Sequence, residues 1–142
     1  MGASLAQKVG PIFGGFYVAI GVIGFAVTGF TGFTQNTPDE LLGFSVNPFH
    51  NVVHIGIGAF LLIMCLQKNA AAAEGAVMGV GLFYIVAFVI GVTAPDNLTI
   101  ISMSGAGDLE NFNHIVNGVA LLAIGLLSTG ATASQAKRRG LA

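Results

Sequence analysis

Three histidines, His50, His54 and His114, carry most of this chain's capacity for chemistry. Two of them share a setting. Asn51-Val52-Val53-His54-Ile55-Gly56-Ile57-Gly58 reads N-x-x-H-x-x-x-G, and Asn111-Phe112-Asn113-His114-Ile115-Val116-Asn117-Gly118 repeats the pattern 60 residues on. Asn and His three apart share a helix face, and a Gly four beyond the His continues it. Imidazoles on two helices at one depth suit ligation. His54 and His114 would serve a haem or a chlorophyll-type pigment as axial ligands, with Gly58 and Gly118 leaving flat space beside the macrocycle. Alternatively His50, four before His54 on the same face, joins His54 and His114 in a Zn or Cu site. The repeat equivalent of His50 is Glu110, so the two copies are not chemically identical. The plainer reading is structural. Asn51, His54, Asn111 and His114 would form a polar lock, bonding across a pseudo-twofold axis or to the loops, at roughly 0.6–2 kcal/mol per bond.

Other candidates are sparse. Tyr17 and Tyr84 occupy matching places in apolar segments and read as buried phenols in need of acceptors. Glu74 reads as a helix-end acid near Lys68, and the single cysteine, Cys65, allows no disulfide within one chain. No nucleophile elbow, zinc-protease helix, phosphate loop or dinucleotide fingerprint appears, so no enzyme is expected. The apolar segments hold almost no ionisable residues, which argues against a proton-coupled transporter or a cation pore.

The elements that position the histidines follow from composition. Of 142 residues, 54% are hydrophobic and only 8% charged, whereas soluble domains carry roughly 25% charged residues. Mean hydropathy is +0.85. Too few charges remain to cover a water-facing surface, so the solvent is lipid. Four segments, at about 9–33, 48–66, 70–93 and 109–129, can each cross a ~30 Å hydrocarbon core. The expected fold class is all-α: one domain over 1–142, a bundle of four transmembrane helices with a basic cytoplasmic tail at 133–142. Net charge is −1, so no nucleic-acid partner is implied. Lys8 precedes too long an apolar stretch for a cleaved signal.

Charge sets the orientation. Lys8, Lys68, Lys137, Arg138 and Arg139 fall on one side of a four-span arrangement. Asp39, Glu40, Asp96, Asp108 and Glu110 fall on the other, and only Glu74 joins the cations. The positive-inside rule then puts both termini in the cytoplasm and both N-x-x-H motifs at the outer face. Asn47-Pro48 marks a helix start, with Asn as cap and Pro first in the helix; Asp108 is the corresponding cap in the second copy.

The halves match elsewhere too. Phe16-Tyr17 with Val22-Ile23-Gly24 parallels Phe83-Tyr84 with Val89-Ile90-Gly91, and Pro38-Asp39-Glu40-Leu41 parallels Pro95-Asp96-Asn97-Leu98. The bundle therefore reads as two repeated helical hairpins, which brings Asn51/His54 to meet Asn111/His114. Gly10 with Gly14, and Gly75 with Gly79, make G-x-x-x-G pairs for close helix packing.

Two stretches carry a family resemblance: Leu41-Leu42-Gly43 leading into Val46-Asn47-Pro48-Phe49-His50-Asn51-Val52-Val53-His54, and Asp108 to Gly118 leading into Val119-Ala120-Leu121-Leu122. The chain resembles, over most of residues 8–130, a family of small bacterial four-helix membrane proteins of unknown function, common in actinobacteria. Asn113 and Asn117 depart from the apolar residues expected there. The resemblance implies a bacterial inner (cytoplasmic) membrane location and no particular activity. The resulting expectation is a non-enzymatic accessory or scaffold subunit, in contact with lipid and with other membrane subunits or further copies of itself. Pigment binding is the alternative and metal binding the third reading.

Overall fold

Ser4 starts the first helix with a reciprocal cap, its hydroxyl accepting from the Gln7 amide while the Gln7 side chain accepts from the Ser4 amide. The helix, α1 (Leu5–Thr28), stops where Gly29 takes a positive φ of 56°. Asn47 caps α2 (Pro48–Cys65), with Pro48 in the first turn. The Asn69 side chain accepts from the Ala72 amide at the head of α3 (Ala70–Thr93). Asp108 caps α4 (Leu109–Arg138). This computed structural model describes residues 2–93, 99–103 and 105–140.

The fold is all-α, with four helices among the described residues each long and apolar enough to cross a membrane. Between α1 and α2 lies a small antiparallel ladder, β1 (Glu40–Leu41) and β2 (Phe44–Ser45). Its two-residue turn places both Leu42 (φ 58°) and Gly43 (φ 84°) in the left-handed region, as the strand twist requires of a tight hairpin. Leu42 projects outward. A 3₁₀ turn, Thr99–Ile101, lies between α3 and α4.

Three helix boundaries depart from the sequence reading, the first being the start of α1, which the Ser4 cap sets at Leu5, four residues before the expected 9. Apolarity continues through Phe30 and Phe33, but Gly29 and Gly32 both adopt positive φ and end α1 at Thr28, five residues before the expected 33. Conversely, α4 runs on to Arg138 instead of stopping at 129. Residues 130–138 are mostly helix formers, and Lys137 and Arg138 suit the negative end of the helix dipole. The landmark Pro95-Asp96-Asn97-Leu98 lies outside the described residues.

Packing is closest within each helix pair, where glycines let the backbones meet. A Cβ on Gly14 would sit 2.9 Å from the Gly58 carbonyl oxygen, and one on Gly58 would sit 2.6 Å from that of Gly14. Gly81 and Gly118 make the same reciprocal contact between α3 and α4, at 2.9 and 3.1 Å. The core between the pairs is filled by Tyr17, Leu61, Val77, Tyr84 and Leu121. Phe16, Ile23, Phe83 and Ile90 face outward, a surface suited to lipid. Of the two G-x-x-x-G pairs, Gly10 and Gly14 pack on Cys65 and Leu62, while a Cβ on Gly75 or Gly79 would meet none of the described residues within 4 Å.

At the basic end Glu74 is buried rather than a solvated helix-end acid. Its carboxylate accepts from the Ser128 hydroxyl at 3.0 Å and the Thr132 hydroxyl at 2.7 Å, and Ser128 in turn accepts from the Ala6 amide at 3.1 Å. One chain of bonds thus ties the ends of α1, α3 and α4.

The backbone contacts generate a test. Gly81→Ala places a Cβ 2.5 Å from the Leu122 amide nitrogen, and overpacking of this kind costs about 1–3 kcal/mol. Gly56→Ala enters open space and gains helix stability of about 0.5–1 kcal/mol. Thermal unfolding in detergent should therefore separate the two variants in opposite directions; equal midpoints would show that α3 and α4 do not touch at Gly81.

Candidate functional site

Asn47 begins the site. Its Oδ1 accepts from the His50 amide at 2.8 Å, fixing the first turn of α2. Its Nδ2 donates to the carbonyls of Gln35 (3.1 Å), Thr99 (2.9 Å) and Ile100 (3.2 Å). One fully buried amide therefore starts the helix that carries His50 and His54 and also holds the 3₁₀ turn over them. The Asp108 carboxylate fixes the opposing turn of α4 by accepting from the Glu110 amide at 2.9 Å.

Below this cover, five rings form a closed circuit. His50 and His54 lie 4.4 Å apart between centroids, and His54 stacks on Tyr17 at 5.9 Å. Tyr17 stacks on Tyr84 at 5.6 Å, and Tyr84 meets His114 at 5.5 Å. His114 returns to His50 at 6.4 Å. All five residues are buried. The sequence reading has Asn51/His54 meet Asn111/His114; the histidines do join one assembly, but His54 and His114 connect through the two tyrosines and through His50.

The asparagines act elsewhere. Asn51 Nδ2 donates to the Thr28 hydroxyl at 3.0 Å, and its amide lies against Gly24 of α1. Asn111 Nδ2 donates to the carbonyls of Gly105 (3.0 Å) and Ala106 (3.1 Å), and its Oδ1 lies against Gly91 of α3. Asn51 thus ties α2 to α1, while Asn111 holds the segment leading into α4, and Gly24 and Gly91 are the positions that leave them room.

Glu110 is the residue that sequence reasoning undervalued. It is only 1% exposed, and its Oε2 lies 3.7 Å from His114 Nε2. His50, Glu110 and His114 each bring one ligating atom within 4.8 Å of the others; His54 is not in this set. The signal was present: Glu110 precedes His114 by four, as His50 precedes His54, so both pairs point into the same seam.

Asn113 and Asn117, the two departures from apolarity, find their reason here. Tyr17 donates its hydroxyl hydrogen to Asn117 Oδ1 at 2.9 Å. Asn117 Nδ2 donates to Asn113 Oδ1 at 2.7 Å, and Asn113 Nδ2 donates to Glu110 Oε2 at 3.3 Å. This ladder descends one face of α4 from the carboxylate to the phenol.

A cavity of about 30 Å³ lies among His50, His54, Tyr84, Ile101 and His114. One water needs roughly 10–15 Å³ by this measure, so the space fits an ion or a water or two. A macrocycle does not fit, because Tyr17 and Tyr84 fill the path between His54 and His114. The Nδ1 atoms of all three histidines and the Oδ1 atoms of Asn51 and Asn111 are buried without a hydrogen-bond partner among the described residues. A buried group left so costs about 1–3 kcal/mol.

The fit of Asn51 against Gly24 gives a coupled prediction. Asn51→Ala should destabilise by about 0.6–2 kcal/mol through the lost bond to Thr28. Gly24→Ala should also destabilise, because its Cβ collides with the Asn51 amide. The double variant should lose less than the sum, since each change relieves the other. Strictly additive losses in thermal midpoint would refute the contact.

No curated protein and no solved structure matches this chain. A family model does match, over residues 7–127, and on that span the chain belongs to the family described as domain of unknown function DUF4383.

Proposed function

We propose that this is a non-enzymatic membrane protein acting as an accessory or scaffold subunit, one that docks a neighbouring transmembrane helix on the outward face of α3. The observation that carries this reading is the open glycine stripe. Gly75 and Gly79 lie one turn apart on an exposed face, and none of the described residues comes within 4 Å of a Cβ built on either. Leu82 and Val86 continue the stripe toward the middle of the helix. Lipid gives helices no hydrophobic drive to associate, and small residues are what allow close backbone approach there. The other glycine-rich contacts, Gly14 with Gly58 and Gly81 with Gly118, are already used within the chain. On α1 the position corresponding to Gly79 is Ile12, which is bulky and 70% exposed, so the stripe belongs to α3 alone.

The charge distribution supports a topology with the basic end on the cytoplasmic side, and the family resemblance supports a bacterial cytoplasmic membrane. The buried cluster would then lie near the external surface.

Purification in mild detergent tests the docking. The wild-type chain should bring down a stoichiometric membrane partner, whether another protein or a second copy. Gly79→Leu should lose that partner while the thermal midpoint of the isolated chain does not fall, because a Cβ at this helical position meets none of the described residues within 4 Å and Leu replaces a poor helix former. A wild-type chain that purifies alone as a monomer, or a variant that keeps its partner, defeats the reading.

A further inference from the structure

Glu110 is a buried carboxylate with no fixed cation near it. All five Lys and Arg residues, Lys8, Lys68, Lys137, Arg138 and Arg139, belong to the opposite end of the helices. Among the described residues, the side-chain groups facing it include the Asn113 amide and the His50 and His114 imidazoles. Asp108, at the head of the same helix, adds a second acid to this end. Burial of a carboxylate is costly unless it is paired or coordinates a metal. Two imidazoles face it, each with an unpartnered Nδ1, and a cavity of about 30 Å³ adjoins them.

We propose that His50, Glu110 and His114 bind one divalent transition-metal ion, with Zn²⁺ the best match. Two nitrogens and one carboxylate oxygen are a borderline donor set of the kind zinc takes. Ca²⁺ and Mg²⁺ require six or more oxygens, which this seam does not offer. Bonds of about 2.0–2.1 Å to a tetrahedral ion place donor atoms roughly 3.3 Å apart. Glu110 and His114 already stand at 3.7 Å, and all three donors lie within 4.8 Å of one another, so side-chain rotation completes the approach. Three protein donors leave a fourth position for water. The Asn113 amide holds the carboxylate from behind, the supporting role that outer-shell groups take at metal sites. His54 stacks on Tyr17, meets His50 at a tilt and lies outside the donor set.

The ion would join α2 to α4, so it would staple the two helix pairs together. This inference stands apart from helix docking on α3, since it uses neither the same residues nor the same face.

The test uses the full chain, purified in detergent without a histidine tag and stripped with a chelator. Zn²⁺ titration against a competing chelator should give one ion per chain. Zn²⁺ should also raise the thermal midpoint of the wild type, because a ligand bound only to the folded state stabilises it. Co²⁺ in its place should give the visible bands of a four-coordinate site. Glu110→Gln keeps the shape and an oxygen for Asn113. It should lower Zn²⁺ affinity by more than the roughly 10–100-fold that outer-shell losses cost, and abolish the Zn²⁺-induced thermal shift. His114→Ala should do the same, while His54→Ala should still bind one ion. No bound Zn²⁺ in the wild type overturns the proposal, as does binding that Glu110→Gln and His114→Ala both leave unchanged. A cluster that is only structural would give the same thermal midpoint with and without Zn²⁺, which also overturns it.

Discussion

Polar atoms buried in a helix bundle surrounded by lipid have nowhere to turn but to one another, and that requirement shapes the arrangement more than any apolar contact does. Backbone amides are satisfied by forming helices. Side chains at the helix heads must be satisfied by other helices or by the loops. Asn47 answers with four bonds, one to its own helix and three to segments that cross above it. Asn51 and Asn111 reach Thr28 and the 105–106 carbonyls only because Gly24 and Gly91 leave space beside them. The glycines and the polar residues are therefore one feature. Removing a side chain from one helix is what lets the amide of the next reach its partner.

The two helix pairs make matching contacts yet differ along one face. His50, Val53 and Ile57 of α2 stand where α4 has Glu110, Asn113 and Asn117, each 60 residues on. On α4 these three form the ladder that ends on Tyr17. On α2 the corresponding positions below His50 are apolar and offer nothing to Tyr84. Symmetric helices thus present an asymmetric lining: imidazole on one side, carboxylate and amides on the other. This face differs in chemistry between the two pairs, while Tyr17/Tyr84, Asn51/Asn111 and His54/His114 match in residue type.

How much of this was legible in advance depends on the range of the interaction. Helix number and most boundaries follow from hydropathy and caps, which are local, and Asn47, Pro48 and Asp108 announce two of the starts. The end of α1 was missed because Phe30 and Phe33 extend the apolar run, while termination depends on backbone dihedrals at Gly29 and Gly32. The end of α4 was missed because a basic, polar stretch resembles a tail even when nothing in it breaks a helix. The histidines and asparagines were found by spacing. Their partners were not, because a pairing such as Asn47 with Thr99, or Tyr17 with Asn117, spans 52 or 100 residues and leaves no periodic trace. Glu110 was read as a flaw in the repeat; its meaning depends on which helices face each other.

The seam between the pairs is held differently from the pairs themselves. Within each pair, backbone meets backbone at Gly14/Gly58 and Gly81/Gly118. Across the seam, the closest ties are polar and occur at three levels. Ala6 bonds Ser128 at the basic end, Tyr17 bonds Asn117 in the middle, and Asn47 bonds the 3₁₀ turn at the other end. Bonds of this type contribute only about 0.6–2 kcal/mol each in a membrane, whereas overpacking a glycine contact costs about 1–3 kcal/mol at a single position. Packing is thus closer within the pairs than across the seam. A ligand acts most on a protein where its binding energy competes with weak contacts, and differential affinity is all it has to work with. The buried histidines and Glu110 lie in that seam, with one side contributed by α2 and the other by α4, so whatever binds there sets how the two pairs sit against each other.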